Sequence, residues 1–336
     1  VLSFVKKVEV DMRKAILISL IIVCALVLGI PLWVFKGYSP DPSRELAVGP
    51  EVKLLNVETG QVSTLPLEEY IVGVVAAEMP AEFEEEALKA QAIAARTYTV
   101  KRLLAYGAKP ADVHPEAELC NDPTHDQAWI DDQEMKQRWG SLKYILYLNK
   151  IMRAVKATQG LVITFNNVPI DPVYHGSCGG RGTENSEDVW AAAVPYLRGV
   201  DCRLEYKADD QVFTVKTDWS ELAAKLEAAG IQASTGAELT GKPILEALKT
   251  SARGRIMEAS ILGQVVTGRR LREVLGLTST LIEWQQSGTE LTIKSTGKGH
   301  AVGLCQYGAN GMAMAGSDYK AIISHYYTGV QIQKMK

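Results

Sequence analysis

The chain has no excess of charge of either sign. Its 36 Lys and Arg face 39 Asp and Glu, a formal net charge of -3 over 336 residues. Nucleic-acid binding leaves a basic footprint, and nothing in this balance argues for one. A glycine-rich phosphate loop and the G-x-G-x-x-G fingerprint are also missing, so the common nucleotide folds lack support. There is no H-E-x-x-H, which disfavours a zinc hydrolase with helix-borne ligands. No internal repeat points to a solenoid. Histidine and cysteine are scarce, at 5 each. The remaining composition, 47% hydrophobic and 22% charged, is that of a globular protein. The length allows one to three domains.

One long apolar run is present. Ala15 to Phe35 reads AILISLIIVCALVLGIPLWVF, enough to span a bilayer as a helix. Lys6, Lys7, Arg13 and Lys14 precede it and place the N-terminus in the cytoplasm. The run is long for a signal-peptide core, and no A-x-A site follows. Residues 15–35 are therefore expected to be an uncleaved anchor, with 1–14 a cytoplasmic tail and Lys36 onward outside. Met12 begins MRKAILIS, the pattern of an anchor start, so residues 1–11 read as a candidate start-site artefact. Residues 36–51 hold several prolines and read as a linker. Outside the anchor stand Cys120, Cys178, Cys202 and Cys305. An extracytoplasmic setting permits disulfides, and four cysteines allow three full pairings.

Glu78 is the unusual acid. It lies in Val72-Gly-Val-Val-Ala-Ala-Glu-Met-Pro80, with no other charge in the run. A carboxyl in apolar surroundings resists ionisation, which suits a general acid near neutral pH. A helix-flanking Glu turned to water is the plainer local reading. Pro66-Leu-Glu-Glu-Tyr70 opens the helix that leads to it, and Pro80 separates it from the next. That next helix, EEEALKAQAIAARTYTV from Glu84 to Val100, places Lys89, Ile93 and Arg96 on one face. Lys89 and Arg96 could point together at a ligand, although a solvated face fits the pattern equally.

The rest reads as α+β with antiparallel strands. Strands flank Glu58-Thr-Gly60, Asn166-Asn167 and Ser287-Gly288. Helices are expected over Trp139–Gln159, Ser220–Ala229 and Gly268–Leu275, and residues 205–275 form a candidate subdomain. Residues 107–132 make a long loop with His114, Cys120 and His125. Gly176 to Glu184, GSCGGRGTE, is a glycine-rich loop. Gly297 to Met312, GKGHAVGLCQYGANGM, sets His300, Gln306 and Tyr307 among glycines, all able to hydrogen-bond a sugar. No second acid stands in a setting as apolar as that of Glu78.

In order, AAEMP, EALKAQAIAARTY, the His/Cys loop, SCGGRGTE, GRRLREVLGL and GHAVGLCQYGA resemble the stage II sporulation protein D family from about Val52 to the C-terminus. Family motifs often have Ser at the place of Cys305 and Gly at that of Ala301. The resemblance implies an anchored peptidoglycan lytic transglycosylase, a lyase acting at the septal and engulfing membrane of the mother cell. It implies Glu78 as the acid, with Lys89, Arg96, Tyr174, Ser177, His300 and Gln306 lining a substrate cleft. It further implies glycan strands stripped of peptides as substrate, and the stage II sporulation protein P amidase within the engulfment complex as partner. Most glycosidases need two carboxylates. A transglycosylase needs one, because the C6 hydroxyl of the muramic sugar is the nucleophile.

No cofactor is required for that chemistry. Cys120-Asn-Asp-Pro-Thr-His125, with His114 near and Asp126 as a fourth group, could hold a structural zinc. Some relatives carry a second cysteine where Asp126 stands. His175 and Cys178 could complete a Cys2His2 site instead, and free thiols or a Cys120–Cys178 disulfide stay open. Two further classes remain beside the enzyme. One is a non-catalytic amidase enhancer. The other is a scaffold recruiting wall enzymes through Gln211 to Leu275.

Overall fold

The computed structural model describes residues 18–27, 49–109, 112–190, 192–204, 211–232 and 243–335. The chain divides into two units, Val1–Glu45 and Leu46–Lys336. In the first, residues 18–27 form helix α1 with exposed apolar side chains such as Ile18 and Leu20. Among the described residues no helix is long and apolar enough to cross a membrane. The rest of the expected anchor, 15–17 and 28–35, lies outside the described residues, as do the tail 1–14 and the linker as far as residue 48.

The second unit begins with a hairpin. Strands β1 (Glu51–Asn56) and β2 (Gln61–Pro66) pair antiparallel. The Asn56 side chain accepts the N–H groups of Glu58 and Thr59, and Gly60 turns the chain at φ 69°. β3 (Leu119–Cys120) adds to β1 in parallel. α2 (Leu67–Glu78) starts after Pro66, with Glu68 and Glu69 near its positive end. α3 (Glu85–Val100) is the central helix and touches α2, α4 (Asp132–Ala157), α8 (Gln306–Met314), α9 (Tyr319–Tyr326) and β4 (Leu161–Phe165). Its Ala87, Ala90, Ala92, Ala94 and Ala95 are fully buried, and their small size lets neighbours close in from several sides.

α4 starts earlier than the pattern from Trp139 suggests. Asp131 and Glu134 form a reciprocal capping box at its start, and Gly140 breaks it at φ 71°. Asn166 and Asn167, at φ 52° and 63°, turn β4 into the short β5 (Val168–Pro169). The sheet runs β14-β4-β5, with β14 (Gln331–Lys334) from the chain's end. The return strand is shorter than expected. β6 (Tyr174–His175) leaves that sheet and pairs in parallel with β13 (Leu304–Cys305). α5 (Ser186–Val189) is a single short turn.

A second core comprises β7 (Val212–Asp218), α6 (Trp219–Ala228), β8 (Leu245–Thr250), β9 (Ile256–Ile261), β10 (Gln264–Thr267), α7 (Gly268–Leu275), β11 (Ile282–Ser287) and β12 (Glu290–Thr296). Its sheets run β10-β9-β8 and β11-β12-β7. Leu222, Leu226, Ile261, Leu271, Leu291 and Ile293 fill it. This core runs past residue 275 because β12 pairs along β7, from Glu290 opposite Asp218 to Thr296 opposite Val212. The α+β class with mainly antiparallel sheets agrees with the sequence.

Candidate active site

Glu78 is the last residue of α2, where the helix gives way to the extended Met79. Its Oε1 accepts the Ala128 N–H at 3.0 Å. That contact depends on how the loop after β3 is clamped. Trp129 packs on Gly73 of α2 so closely that a Cβ there would lie 2.1 Å from the indole Nε1. Ile130 N–H reaches the Gly73 carbonyl at 3.4 Å. Gly73 thus lets the loop lie flat on α2 and aims Ala128 at the carboxylate.

From the other side, Gln306 at the start of α8 hydrogen-bonds Glu78, and its Nε2 donates to Gln91 Oε1 at 3.4 Å. Burial raises the Glu78 pKa above the usual carboxylate value. The Ala128 and Gln306 hydrogen bonds and the charge of Lys298 pull it partly back. No carboxylate is among the groups acting on it. Tyr174 feels the Glu78 charge, and burial above all holds its hydroxyl protonated. That hydroxyl donates to Gln127 Oε1 at 2.8 Å, and Gln127 donates onward to Thr99 Oγ1 at 3.1 Å. Glu78, Tyr174 and Gln306 are therefore brought together as the sequence suggests.

Four other residues fall differently. Arg96 is sealed from solvent and forked onto Glu68, at 2.9 Å (Nε to Oε1) and 2.6 Å (Nη2 to Oε2). It also donates to the Leu161 carbonyl at 3.2 Å, tying α2 and α3 to β4. It presents nothing to a ligand, and losing one partner of such a buried pair is worth about 3–5 kcal/mol. Lys89 binds Glu86 at 2.6 Å and Glu85 at 3.5 Å. It is two positions from Gln91, about 200° around the helix and away from Glu78. Ser177 is fully buried; its Oγ accepts the Gly179 N–H at 3.1 Å and shapes the glycine turn. His300 is half-buried. Its Nδ1 accepts the Val302 N–H at 3.1 Å, and the ring also hydrogen-bonds the backbone of Tyr174. Burial and then Arg272 lower its pKa to about 4, so it stays neutral and acts by holding the loop.

Lys298 is the residue that sequence reading missed. It sits between Gly297 and Gly299, at φ 88° and 105°, and exchanges backbone hydrogen bonds with Ser177. The flanking glycines were the available signal. Glu184 was also missed. It is a second buried carboxyl with a raised pKa, but it is held by Ser251 Oγ at 2.8 Å and Arg255 Nε at 3.4 Å.

His114, Cys120, His125 and Asp126 form a compact cluster. His114 Nε2 lies 3.2 Å from both His125 Nδ1 and Asp126 Oδ2, and Cys120 Sγ lies 3.6 Å from His125 Nδ1. Zinc bonds of 2.0–2.3 Å in a tetrahedron separate ligands by about 3.3–3.8 Å, close to these spacings. His114 Nδ1 faces the Ala117 carbonyl at 3.1 Å, which leaves Nε2 free to coordinate. The other Asp126 oxygen accepts from Tyr98 at 3.0 Å. The donor set fits zinc. His175 does not join it: its Nδ1 faces the Val302 carbonyl, and burial lowers its pKa to about 4. Cys178 does not join it either. It gathers with Cys202 and Cys305 under α8, apart from Cys120, so the Cys120–Cys178 pairing does not fit. Gly308 makes room there, since a Cβ would lie 2.2 Å from both Cys202 Sγ and the Tyr326 hydroxyl.

Comparison with known proteins matches residues 56–165 to a family described as stage II sporulation protein. That stretch carries α2, α3 and the His/Cys loop. The chain is 38% identical to stage II sporulation protein D of Bacillus subtilis (strain 168), across 81% of this chain and 76% of that protein. It is 37% identical to stage II sporulation protein D of Bacillus amyloliquefaciens, across 84% and 78%. An amidase enhancer of Bacillus subtilis is 27% identical across 77% of this chain and 40% of its own length. With a matching family domain and identity sustained over most of both chains, this protein belongs to the stage II sporulation protein D family.

Proposed function

We propose that the protein is a peptidoglycan lytic transglycosylase, cleaving between N-acetylmuramic acid and N-acetylglucosamine in peptide-stripped glycan strands during sporulation. The observation that carries this is Glu78. It is a half-buried carboxyl with a raised pKa, and no carboxylate is among the groups acting on it.

Protonated Glu78 donates its proton to the glycosidic oxygen, and the bond to the muramic anomeric carbon breaks. The carboxylate then accepts the proton of the muramic C6 hydroxyl. That oxygen attacks the anomeric carbon and closes a 1,6-anhydro ring, so no water is consumed. The Ala128 N–H and Gln306 stabilise the carboxylate formed between the steps. Tyr174 and Gln127 fix the wall beside it.

The His114, Cys120, His125 and Asp126 cluster would hold a structural zinc. The ion would supply a crosslink that keeps Gln127 and Ala128 in place. The apolar run 15–35 supports a single-pass anchor with the N-terminus in the cytoplasm and the second unit outside. Partners would then be the stage II sporulation protein P amidase and the engulfment complex. The amidase-enhancer relative supports a second reading, in which the cleft holds glycan without cutting it.

Mass spectrometry of amidase-treated peptidoglycan separates the two. The active enzyme releases 1,6-anhydro ends, and Glu78→Gln lowers their yield at least about a hundredfold, as loss of a general acid does. Unchanged yield in Glu78→Gln would reject the assignment, and no anhydro ends from the unaltered chain would favour the enhancer.

A further inference from the structure

A cavity of about 630 Å³ lies against both loops that reach Glu78. Thr124 borders it from the loop that supplies Ala128, and His300 borders it from the loop that carries Lys298 and Gln306. Its far wall is α7 and β9 of the second core, which contribute Arg272 and Glu258. This cavity plays no part in the proton transfers above.

Its lining combines one aromatic face with many charged and polar groups. Trp190 is half-buried and lines the cavity, and its ring centroid lies 5.1 Å from that of His300. The anchored imidazole therefore props the indole, leaving a rigid aromatic surface of the kind that packs on a sugar ring. The carboxylates of the wall are mostly engaged. Glu184 is held by Arg255 and Ser251, Glu187 by Arg198, and Glu273 by Arg269 and Arg270. Arg272 differs. It is half-buried, and among the described residues its guanidinium has no hydrogen-bond or ion-pair partner. Burial disfavours its charged form, the Glu273 charge offsets this only in part, and its fork matches a carboxylate in two-point contact.

We propose that this cavity is a second glycan-binding site, in which Trp190 packs on a sugar ring and Arg272 pairs with the lactyl carboxylate of a muramic residue. The inference rests on the glycan reading of the Glu78 cleft. Lys89 and Arg96 are satisfied internally, so recognition of the acidic group falls to Arg272, which forms no hydrogen bond or ion pair among the described residues. The strand would run from the scissile bond along the Lys298–His300 segment to the second core. Binding energy gained away from the bond would hold the strand in register for the chemistry.

The test is calorimetric and uses the full chain carrying Glu78→Gln, so that binding is read without cleavage. One probe is a peptide-stripped glycan oligosaccharide containing muramic acid. The other is a chito-oligosaccharide of equal length, which has the same backbone but no lactyl carboxyl. The muramic probe is expected to bind more tightly. Arg272→Gln should weaken it about tenfold and leave the chito-oligosaccharide unchanged, as loss of a charge-assisted contact predicts. Trp190→Ala should weaken both. Equal affinity for the two probes before Arg272 is altered would overturn the proposal without depending on any variant's folding. So would an Arg272→Gln protein that melts normally and still binds the muramic probe tightly. If the probes behave as expected but the unaltered chain makes no anhydro ends, the lytic reading fails and this site stands. If anhydro ends form and the probes do not discriminate, this site alone fails.

Discussion

The loop from His114 to Ala128 and the loop from Gly297 to Gln306 each deliver a hydrogen bond to Glu78. The first does so through a backbone N–H, the second through a side-chain amide. They are held by different means. In the first, four side chains converge and the indole of Trp129 seats on Gly73. In the second, left-handed glycines and backbone exchange with Ser177 do the work, and His300 Nδ1 accepts the Val302 N–H. Side-chain convergence gathers ligating groups at spacings that suit a metal. Backbone exchange depends on steric fit alone. The same carboxyl therefore sits between one chemically sensitive wall and one sterically sensitive wall.

The largest expected effect breaks the first wall. His114→Ala, or dialysis against a zinc chelator, should release the loop, lower the melting temperature by several degrees and reduce anhydro-end formation. A domain of this size shifts roughly 2–4 °C for each kcal/mol lost. Elemental analysis should find one zinc per chain before treatment and none after it. A chain that purifies without metal and melts unchanged in chelator would leave the loop held by the Asp126 hydrogen bonds and the seat of Trp129 on Gly73 alone. The second wall should not respond to chelator at all.

A smaller effect breaks the second wall. Gly299 stands at φ 105°, and a Cβ there would lie 2.8 Å from His175 Cβ. Gly299→Ala should destabilise by about 1–3 kcal/mol in denaturant titration, through strain and the clash together. Gly60→Ala is the control. At φ 69° with nothing within 4 Å, it carries only the left-handed conformation, about 1 kcal/mol. Equal losses at the two positions would mean that the Gly299 loop gives way freely.

Much of this arrangement was legible in the sequence because it is local. Glu78 stood out as the only charge in its run, and His114, Cys120, His125 and Asp126 fall within one loop. Helix limits at Gly268–Leu275 and the strand at Val212–Asp218 follow from local caps and alternation. What was not legible is long-range. The face shared by Lys89 and Arg96 was visible, but Glu68, which claims Arg96, lies 28 residues away. The pairing of β12 with β7, which extends the second core, joins residues more than seventy apart. Lys298 acts on Glu78 through a bridge to Ser177, a partner 121 residues away in the chain.

The smallest expected effect concerns Glu78 itself, and its sign distinguishes burial from bonding. Its folded pKa is raised, so the folded chain holds this proton to higher pH than the unfolded chain does. Between the ordinary carboxylate value, about 4.3, and the raised value, the folded state binds more protons. Stability therefore falls as pH rises through that window, and the full penalty is present above it. Glutamine at this position keeps an oxygen for the Ala128 N–H and removes the charge. Glu78→Gln should thus melt above the parent at pH 7, and the gain should vanish below about pH 4. Anhydro-end formation should show the complementary trend, falling as pH rises through the same value because the acid form is the proton donor. A variant that melts below the parent at both pH values would mean that the hydrogen bonds of the two walls outweigh burial. Glu78 would then be held as a carboxylate and be unfit to donate.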